Sequence, residues 1–208
     1  KVIIYLCVLE CYDFDYIKRF VGVKPSAKPF NSIIELELSN KNIPVNPFIN
    51  AGAIVSTALL QEKYGNNTFD FILNRTRDLI NNDKLDYSRS IYHSESSCAY
   101  ANRALTYMLL NDNIIPPHID VDDLLNTYFK ACSILVDSVD LANLSFILSR
   151  DGKNLAGEEI LSPKHAKILR TIMATCGTYD YSGDFAIRVG IPAKSGVGGG
   201  IVTASKSG

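Results

Sequence analysis

Three polar features stand out in this sequence because an apolar core does not need them. Lys1 begins an apolar helical pattern, Glu95 and Asn102 share a predicted helix, and Lys194-Ser195-Gly196 opens a glycine-rich strand. A lysine can remove the proton of a serine one helical turn earlier, since positions i and i+3 lie on one face. Signatures of the S-x-x-K and K-T-G type are typical of enzymes that transfer an acyl group through serine. For Lys1, that serine position falls three residues before the first residue of this sequence.

The pair Glu95 and Asn102 has the chemistry to bind a zwitterion in preference to an apolar ligand. The two residues are seven positions apart, so on one helix their side chains share a face about 10 Å apart. A carboxylate suits an ammonium group, and an asparagine amide can donate to a carboxylate. Asn50, at a predicted helix start, adds backbone donors for an anion. Each residue also has a plainer interpretation, with Glu95 and Asn50 as helix caps and Asn102 as a solvated position.

The composition excludes several classes of function. The 208 residues carry 21 Lys and Arg against 22 Asp and Glu, a net charge of -1, so we expect no nucleic-acid partner. Hydrophobic residues make up 47%, as in globular proteins. The longest apolar run, residues 2–9, is much shorter than the roughly 20 residues that span a bilayer, so no membrane segment is expected.

The five cysteines are odd in number and include no C-x-x-C pair, which argues against a disulfide framework and a zinc site. We expect a reducing compartment, the cytoplasm. The three histidines are scattered without the spacing of a metal set, so no metal or other cofactor is expected.

Most of the chain shows helical spacing of apolar residues, with capping residues and glycine stops at several ends. We predict helices over residues 2–9, 50–64 (capped by Asn50, stopped by Gly65), 70–80, 95–110 (capped by Ser94), 120–133, 138–148 and 163–176 (capped by Ser162, stopped by Gly177).

Two stretches predict extended structure instead. Residues 24–32 hold two prolines that break the first helix and lead into an extended segment. Between 185 and 191 apolar residues alternate with Ala186, Arg188 and Gly190, which predicts a strand, and residues 194–205 predict a second. The sequence shows no internal repeat, so we predict a single domain over 1–208. Two strands alone form a marginal sheet, and the chain opens without Met, so we expect truncation at both ends.

Four long segments closely resemble one family: residues 29–55, 92–108, 128–133 and 176–202, which include the runs NPFINAGA, CGTYDYSG and GIPAKSGVGGG. They resemble the glutaminases of the serine-dependent β-lactamase-like fold, and the resemblance extends from Lys1 to about Val202. It implies an α+β fold similar to β-lactamases and penicillin-binding proteins, mostly helical with a C-terminal β-hairpin of an incomplete antiparallel sheet.

The resemblance implies hydrolysis of L-glutamine to L-glutamate and ammonia through an acyl-serine intermediate, by a homodimer or homotetramer. Lys1 matches the lysine that activates the serine, and Tyr179 matches a tyrosine that transfers protons and touches substrate. Val197 matches the residue whose backbone N–H joins the oxyanion hole. The positions that hold the α-amino and α-carboxylate groups of the substrate match Asn50, Glu95, Asn102 and Tyr128.

Two other classes remain open at this point. The family usually has Asp-Arg before the asparagine at 102, whereas this chain has Tyr100-Ala101, which resembles a motif of penicillin-recognising enzymes. A serine β-lactamase or transpeptidase is therefore one alternative, and a non-catalytic homologue is the other. Without the serine, we expect a polypeptide of these 208 residues alone to be inactive.

Overall fold

The computed structural model describes residues 1–39 and 42–205. Short 3₁₀ turns lie at Gly65–Asn67 and Tyr179–Tyr181. The helices and strands of these residues are α1 (Val2–Cys11), α2 (Phe14–Ile17), α3 (Ile33–Leu38), α4 (Asn50–Tyr64), α5 (Thr68–Ile80), α6 (Arg89–Ser97), α7 (Tyr100–Asn111), α8 (Val121–Cys132), α9 (Ser138–Ser149), α10 (Pro163–Cys176), α11 (Ser182–Arg188), β1 (Ala193–Ser195) and β2 (Ile201–Thr203). The described part of the chain contains no helix that is both long and apolar enough to cross a membrane.

Helices α1 and α4 form the centre of the fold. Both are apolar around most of their circumference, as expected for helices covered on all sides. They lie side by side in the same direction, because Lys1 contacts Asn50 at one end and the Tyr12 hydroxyl donates to the Leu59 carbonyl near the other. Helices α5, α7 and α8 pack around α4. The first residues of α1 and α4 are therefore held together at one end of the core.

Several predicted helix ends are confirmed, because they depend on local chemistry alone. The Ser162 hydroxyl accepts from the His165 amide at the start of α10, Pro163 is the first helical residue, and Gly177 ends the helix. Gly65 ends α4 at a φ of +53°, a conformation that favours glycine. The prediction that Asn50 caps α4 is wrong. Asn50 is already helical, and its side chain makes no cap bond.

The predicted single helix over 95–110 is wrong, since the structure divides it into α6 and α7 at Cys98 and Ala99. Ser88, rather than Ser94, caps α6. Serine hydroxyls near the end of α6 bond to backbone carbonyls one turn earlier, which competes with continuation of the helix. Glu95 therefore lies in the last turn of α6, away from a helix N-terminus, and shares no continuous helical face with Asn102.

The strand predicted between 185 and 191 is also wrong, because residues Ser182–Arg188 form α11. Phe185 and Val189 are four residues apart, and the Val189 amide donates to the Phe185 carbonyl at 2.8 Å. Residues four positions apart are apolar both in an alternating strand and on one face of a helix. The alternation is therefore compatible with either structure. The prediction of one strand over 194–205 is wrong as well, because the hairpin's two strands, β1 (Ala193–Ser195) and β2 (Ile201–Thr203), occupy its two ends, and Lys194 pairs with Val202.

The extended segment predicted after residues 24–32 is wrong, because α3 begins at Ile33, directly after them. Ser32 caps α3 by accepting from the Glu35 amide. The fold class itself is confirmed, because the described residues are mostly helical and end in a small antiparallel hairpin.

Candidate active site

Three helix starts meet in a chain of side-chain hydrogen bonds. Lys1 Nζ donates to Asn50 Oδ1 at 2.6 Å, and Asn50 Nδ2 donates to Asn102 Oδ1 at 2.9 Å. Lys1 precedes α1, Asn50 begins α4, and Asn102 lies in the first turn of α7. Because Asn50 is buried and bonded on both sides, it fixes the Lys1 amine relative to α7. The structure thus brings together three residues that lie up to 101 positions apart in the sequence.

The amine of Lys1 has the electrostatics of a base. Its desolvation lowers the pKa to about 8, while the nearby charges of Cys132 and Glu95 oppose that change. The ring of Phe30 lies 5.5 Å from Nζ and contributes to the apolar surroundings. A lysine with a pKa of about 8 is partly neutral near neutral pH, and only the neutral amine can accept a proton.

This lowered pKa predicts the pH dependence of any reaction that uses Lys1 as a base. Lowering the pH protonates the amine, so kcat/KM should fall on the acidic side and rise with increasing pH through an apparent pKa near 8. The measurement is a profile of kcat/KM from about pH 6 to about pH 10, with enzyme stability checked at each pH. A profile that is flat through this range would contradict the assignment of Lys1.

Tyr179 lies in the 3₁₀ turn that follows α10, with a φ of +60°. This left-handed conformation is uncommon for a residue with a side chain and is frequent at functional sites. Its ring packs against Phe30 with centroids 5.2 Å apart. Burial raises the pKa of the phenol to about 12, so the hydroxyl remains protonated near neutral pH. Phe30 therefore borders both Tyr179 and Lys1.

Lys194, the lysine of the K-S-G motif, is a direct partner of Tyr179. Its Nζ donates to the Tyr179 hydroxyl at 3.0 Å. Burial, and then the positive charge of Lys1, lower the pKa of Lys194 to about 7. The glycine between α10 and the turn allows this approach, because a Cβ on Gly177 would lie 1.6 Å from the Ala193 carbonyl oxygen. In the sequence, the K-S-G motif indicates Lys194 but not its contact with Tyr179.

Tyr128 on α8 and Glu95 on α6 interact electrostatically with members of this cluster. Tyr128 is buried, and its pKa is raised by burial first, then by the charges of Cys132, Tyr179 and Glu95. Glu95 is exposed at the end of α6, and its charge acts on Lys1 as well. These two residues therefore lie in the electrostatic neighbourhood of the Lys1 and Tyr179 cluster, with Glu95 at its solvent side.

Val197 lies at the tip of the hairpin and is 89% exposed. The hairpin turn is closed by a bond of 2.7 Å from the Gly196 amide to the Gly200 carbonyl. Two surface cavities lie elsewhere, one beside Asp112 and one beside His165, and none of the predicted site residues lines them. Among the residues that the structure describes, no group of three or more His, Cys, Asp and Glu side chains is placed to hold a metal.

A mostly helical fold with a small hairpin, and a half-buried lysine directly before a central helix, define a protein of the β-lactamase-like class. The glutaminase family model matches residues 1–207, and the chain belongs to the glutaminase family. It is 43% identical over 203 residues to a glutaminase of Clostridioides difficile, covering 97% of this chain and 65% of that protein.

Other known proteins give the same result. A glutaminase of Natranaerobius thermophilus is 46% identical over 182 residues, which are 88% of this chain and 58% of that protein. The crystal structure of a Bacillus glutaminase superimposes with a TM-score of 0.91 at 33% identity, covering 97% of this chain and 67% of that one. The chain thus spans less than two thirds of the length of these curated relatives.

Proposed function

We propose that the protein containing this chain hydrolyses L-glutamine to L-glutamate and ammonia through an acyl-serine intermediate. The observation that carries the proposal is the Lys1 amine, desolvated to a pKa of about 8 and held at 2.6 Å by Asn50. Membership of the glutaminase family and the matching S-x-x-K position support glutamine as the substrate and serine as the nucleophile.

The acylation step uses Lys1 as a general base. Neutral Lys1 takes the proton of the serine hydroxyl one helical turn earlier, and the serine oxygen attacks the side-chain amide carbon of glutamine. The carbon–nitrogen bond then breaks, the ester forms, and the proton held by Lys1 passes to the departing nitrogen to give ammonia. Tyr179, with its protonated phenol, relays this proton and donates a hydrogen bond to the substrate.

Deacylation repeats the same proton movements with water. Lys1 removes a proton from water, whose oxygen attacks the ester carbon, and the proton returns to the serine oxygen as glutamate is released. The backbone N–H of Val197 stabilises the developing oxyanion together with that of the serine. This role requires the hairpin tip to lie over the substrate carbonyl.

Recognition of the amino-acid end falls to the polar residues around Lys1. The Glu95 carboxylate pairs with the α-ammonium group, since it adds negative charge at the solvent side of the site. Asn50 and Asn102 offer amides to the α-carboxylate, and Tyr128 closes the site from α8. The side-chain amides of Asn50 and Asn102 are hydrogen-bonded to each other in the structure. Binding of glutamine replaces this hydrogen bond by hydrogen bonds to the substrate.

Replacing Glu95 by glutamine should raise KM for glutamine on the order of tenfold to a hundredfold and leave kcat nearly unchanged. The substitution keeps the shape of the side chain but removes the charged partner of the α-ammonium group. Steady-state kinetics measure this split between KM and kcat. The matched control is Glu159→Gln, at an exposed glutamate in the loop before α10, which should leave both constants unchanged. A Glu95→Gln variant with an unaltered KM would contradict the role of Glu95.

The function itself is tested by ammonia release from a protein extended upstream through the serine. We expect release from L-glutamine, and no hydrolysis of the β-lactam nitrocefin. Activity toward nitrocefin without activity toward glutamine would support the penicillin-recognising alternative. Inactivity toward both substrates in a folded protein would support a non-catalytic homologue.

We further propose that the protein is a cytoplasmic homodimer or homotetramer. The five cysteines are free thiols, which supports a reducing compartment. The family resemblance supports the oligomeric state, which light scattering coupled to size-exclusion chromatography measures.

A further inference from the structure

Helix α6 carries Glu95 but adds no buried residue to the apolar core. None of its nine residues is buried, and only Tyr92 and Ser96 are half-buried. Most helices of a folded protein are held in place by burying an apolar face, because packing rather than helix propensity supplies most of their stability. The position of Glu95 therefore depends on other contacts of this helix.

The backbone holds the two ends of α6. Before the helix, the Ser88 amide donates to the Ser133 carbonyl at 2.8 Å, and the Leu135 amide donates to the Asp86 carbonyl at 3.0 Å. After the helix, Ala99 is buried directly before α7. These contacts fix the ends of the helix, but its rotation about its own axis is left to side chains.

Tyr92 supplies the side-chain contact between α6 and α8, the helix against which α6 mainly packs. Its hydroxyl donates to Asn126 Oδ1 on α8, and its ring meets the ring of Tyr87 edge to face, with centroids 6.0 Å apart. Among the described residues of α6, only Tyr92 makes a side-chain hydrogen bond to another helix. The hydroxyls of Ser96 and Ser97 bond to carbonyls within α6 itself.

The hydrogen bond from Tyr92 lies close to the proposed substrate contact. Glu95 follows Tyr92 by three residues, so the two side chains are neighbours on the surface of the helix. The charge of Glu95 acts on Lys1 and on Tyr128, and Tyr128 lies on α8 together with Asn126. A rotation of α6 against α8 would therefore move the Glu95 carboxylate relative to the rest of the site.

We propose that Tyr92 and Asn126 are positioning residues for substrate binding. Their hydrogen bond holds α6 against α8 and sets its rotation, and this places the Glu95 carboxylate where it receives the α-ammonium group of glutamine. The inference rests on the proposed function. Both residues act through Glu95, so their effect is on binding and requires the charge of Glu95 to be present.

Steady-state kinetics of the protein extended through the serine test this dependence. Tyr92→Phe should raise KM for glutamine about threefold to tenfold, the contribution of one hydrogen bond, and leave kcat unchanged. Asn126→Leu removes the acceptor at similar volume and should raise KM equally, and the two changes together should have the effect of one. In the Glu95→Gln background, Tyr92→Phe should cause no further rise. An unchanged KM in either single variant, or effects that multiply with Glu95→Gln, would overturn the inference.

Amide hydrogen exchange gives a second measurement that does not depend on activity. In Tyr92→Phe the amides of α6 should exchange about threefold to tenfold faster, while those of α8 keep their rates. The ring of Tyr92 is retained, so the Tm should change little. The matched control is Tyr107→Phe, at a tyrosine of α7 that is 58% exposed, and it should alter neither KM nor exchange. Unchanged exchange in α6 overturns the inference even if the unmodified protein proves inactive toward glutamine, which would instead refute the proposed function.

Discussion

Replacing Lys1 by methionine in the extended protein should lower kcat for glutamine on the order of 10²-fold to 10⁴-fold, the usual contribution of a general base. Methionine keeps the length and the apolar stem of the side chain, so the packing beside Phe30 is retained. The amine that accepts the serine proton is lost. KM should change much less, since Glu95 and Asn102 remain in place.

Lys1→Arg sharpens this prediction, because the guanidinium group stays protonated and cannot act as a base. It should be as inactive as Lys1→Met even though the positive charge is preserved. Lys153→Met, at an exposed lysine in the loop after α9, serves as the control with unchanged kinetics. An active Lys1→Arg variant would show that only the positive charge of Lys1 matters, and would exclude it as the base.

Replacing Tyr179 by phenylalanine should lower kcat on the order of 10²-fold to 10³-fold. The phenol, whose pKa burial raises to about 12, donates a proton or a hydrogen bond that phenylalanine lacks. The ring itself is preserved, together with its packing against Phe30, so the Tm should change little. Steady-state kinetics and thermal unfolding of the same preparation measure both effects.

The matched control lies in the same 3₁₀ turn. Tyr181 is 48% exposed, and Tyr181→Phe removes a hydroxyl without approaching the cluster around Lys1. Its kcat should equal that of the unmodified protein. Equal losses in the two variants would indicate a general effect on the turn and would contradict a specific role for the Tyr179 hydroxyl.

Much of the fold was predictable because its signals are local. Ser162, Pro163 and Gly177 delimit α10 through caps that depend on a few neighbouring residues, and Gly65 ends α4 in the same way. The errors arose where tertiary packing decides between two local possibilities. Period-two alternation near Phe185 fits a strand, but the same residues form α11 against α10.

Residue spacing alone predicts less of the candidate site than of the fold. The prediction that Glu95 and Asn102 share a face requires one continuous helix, but the helix is interrupted at Cys98. The contact between Lys1 and Asn50 depends on the parallel packing of α1 and α4, which no local pattern specifies. The family resemblance indicated those residues, whereas the bond between Lys194 and Tyr179 emerged only from the packing of β1 against the turn after α10.

Covalent trapping of the nucleophile is the most direct test of the acyl-serine mechanism. A diazoketone analogue of glutamine alkylates a nucleophile activated within a glutamine site, and peptide mapping then locates the modified residue. We predict complete inactivation, protection by glutamine, and a single adduct on the serine three residues before Lys1. An adduct on another residue, such as the exposed thiol of Cys132, that accounts for the inactivation would contradict an acyl-serine mechanism with Lys1 as its base.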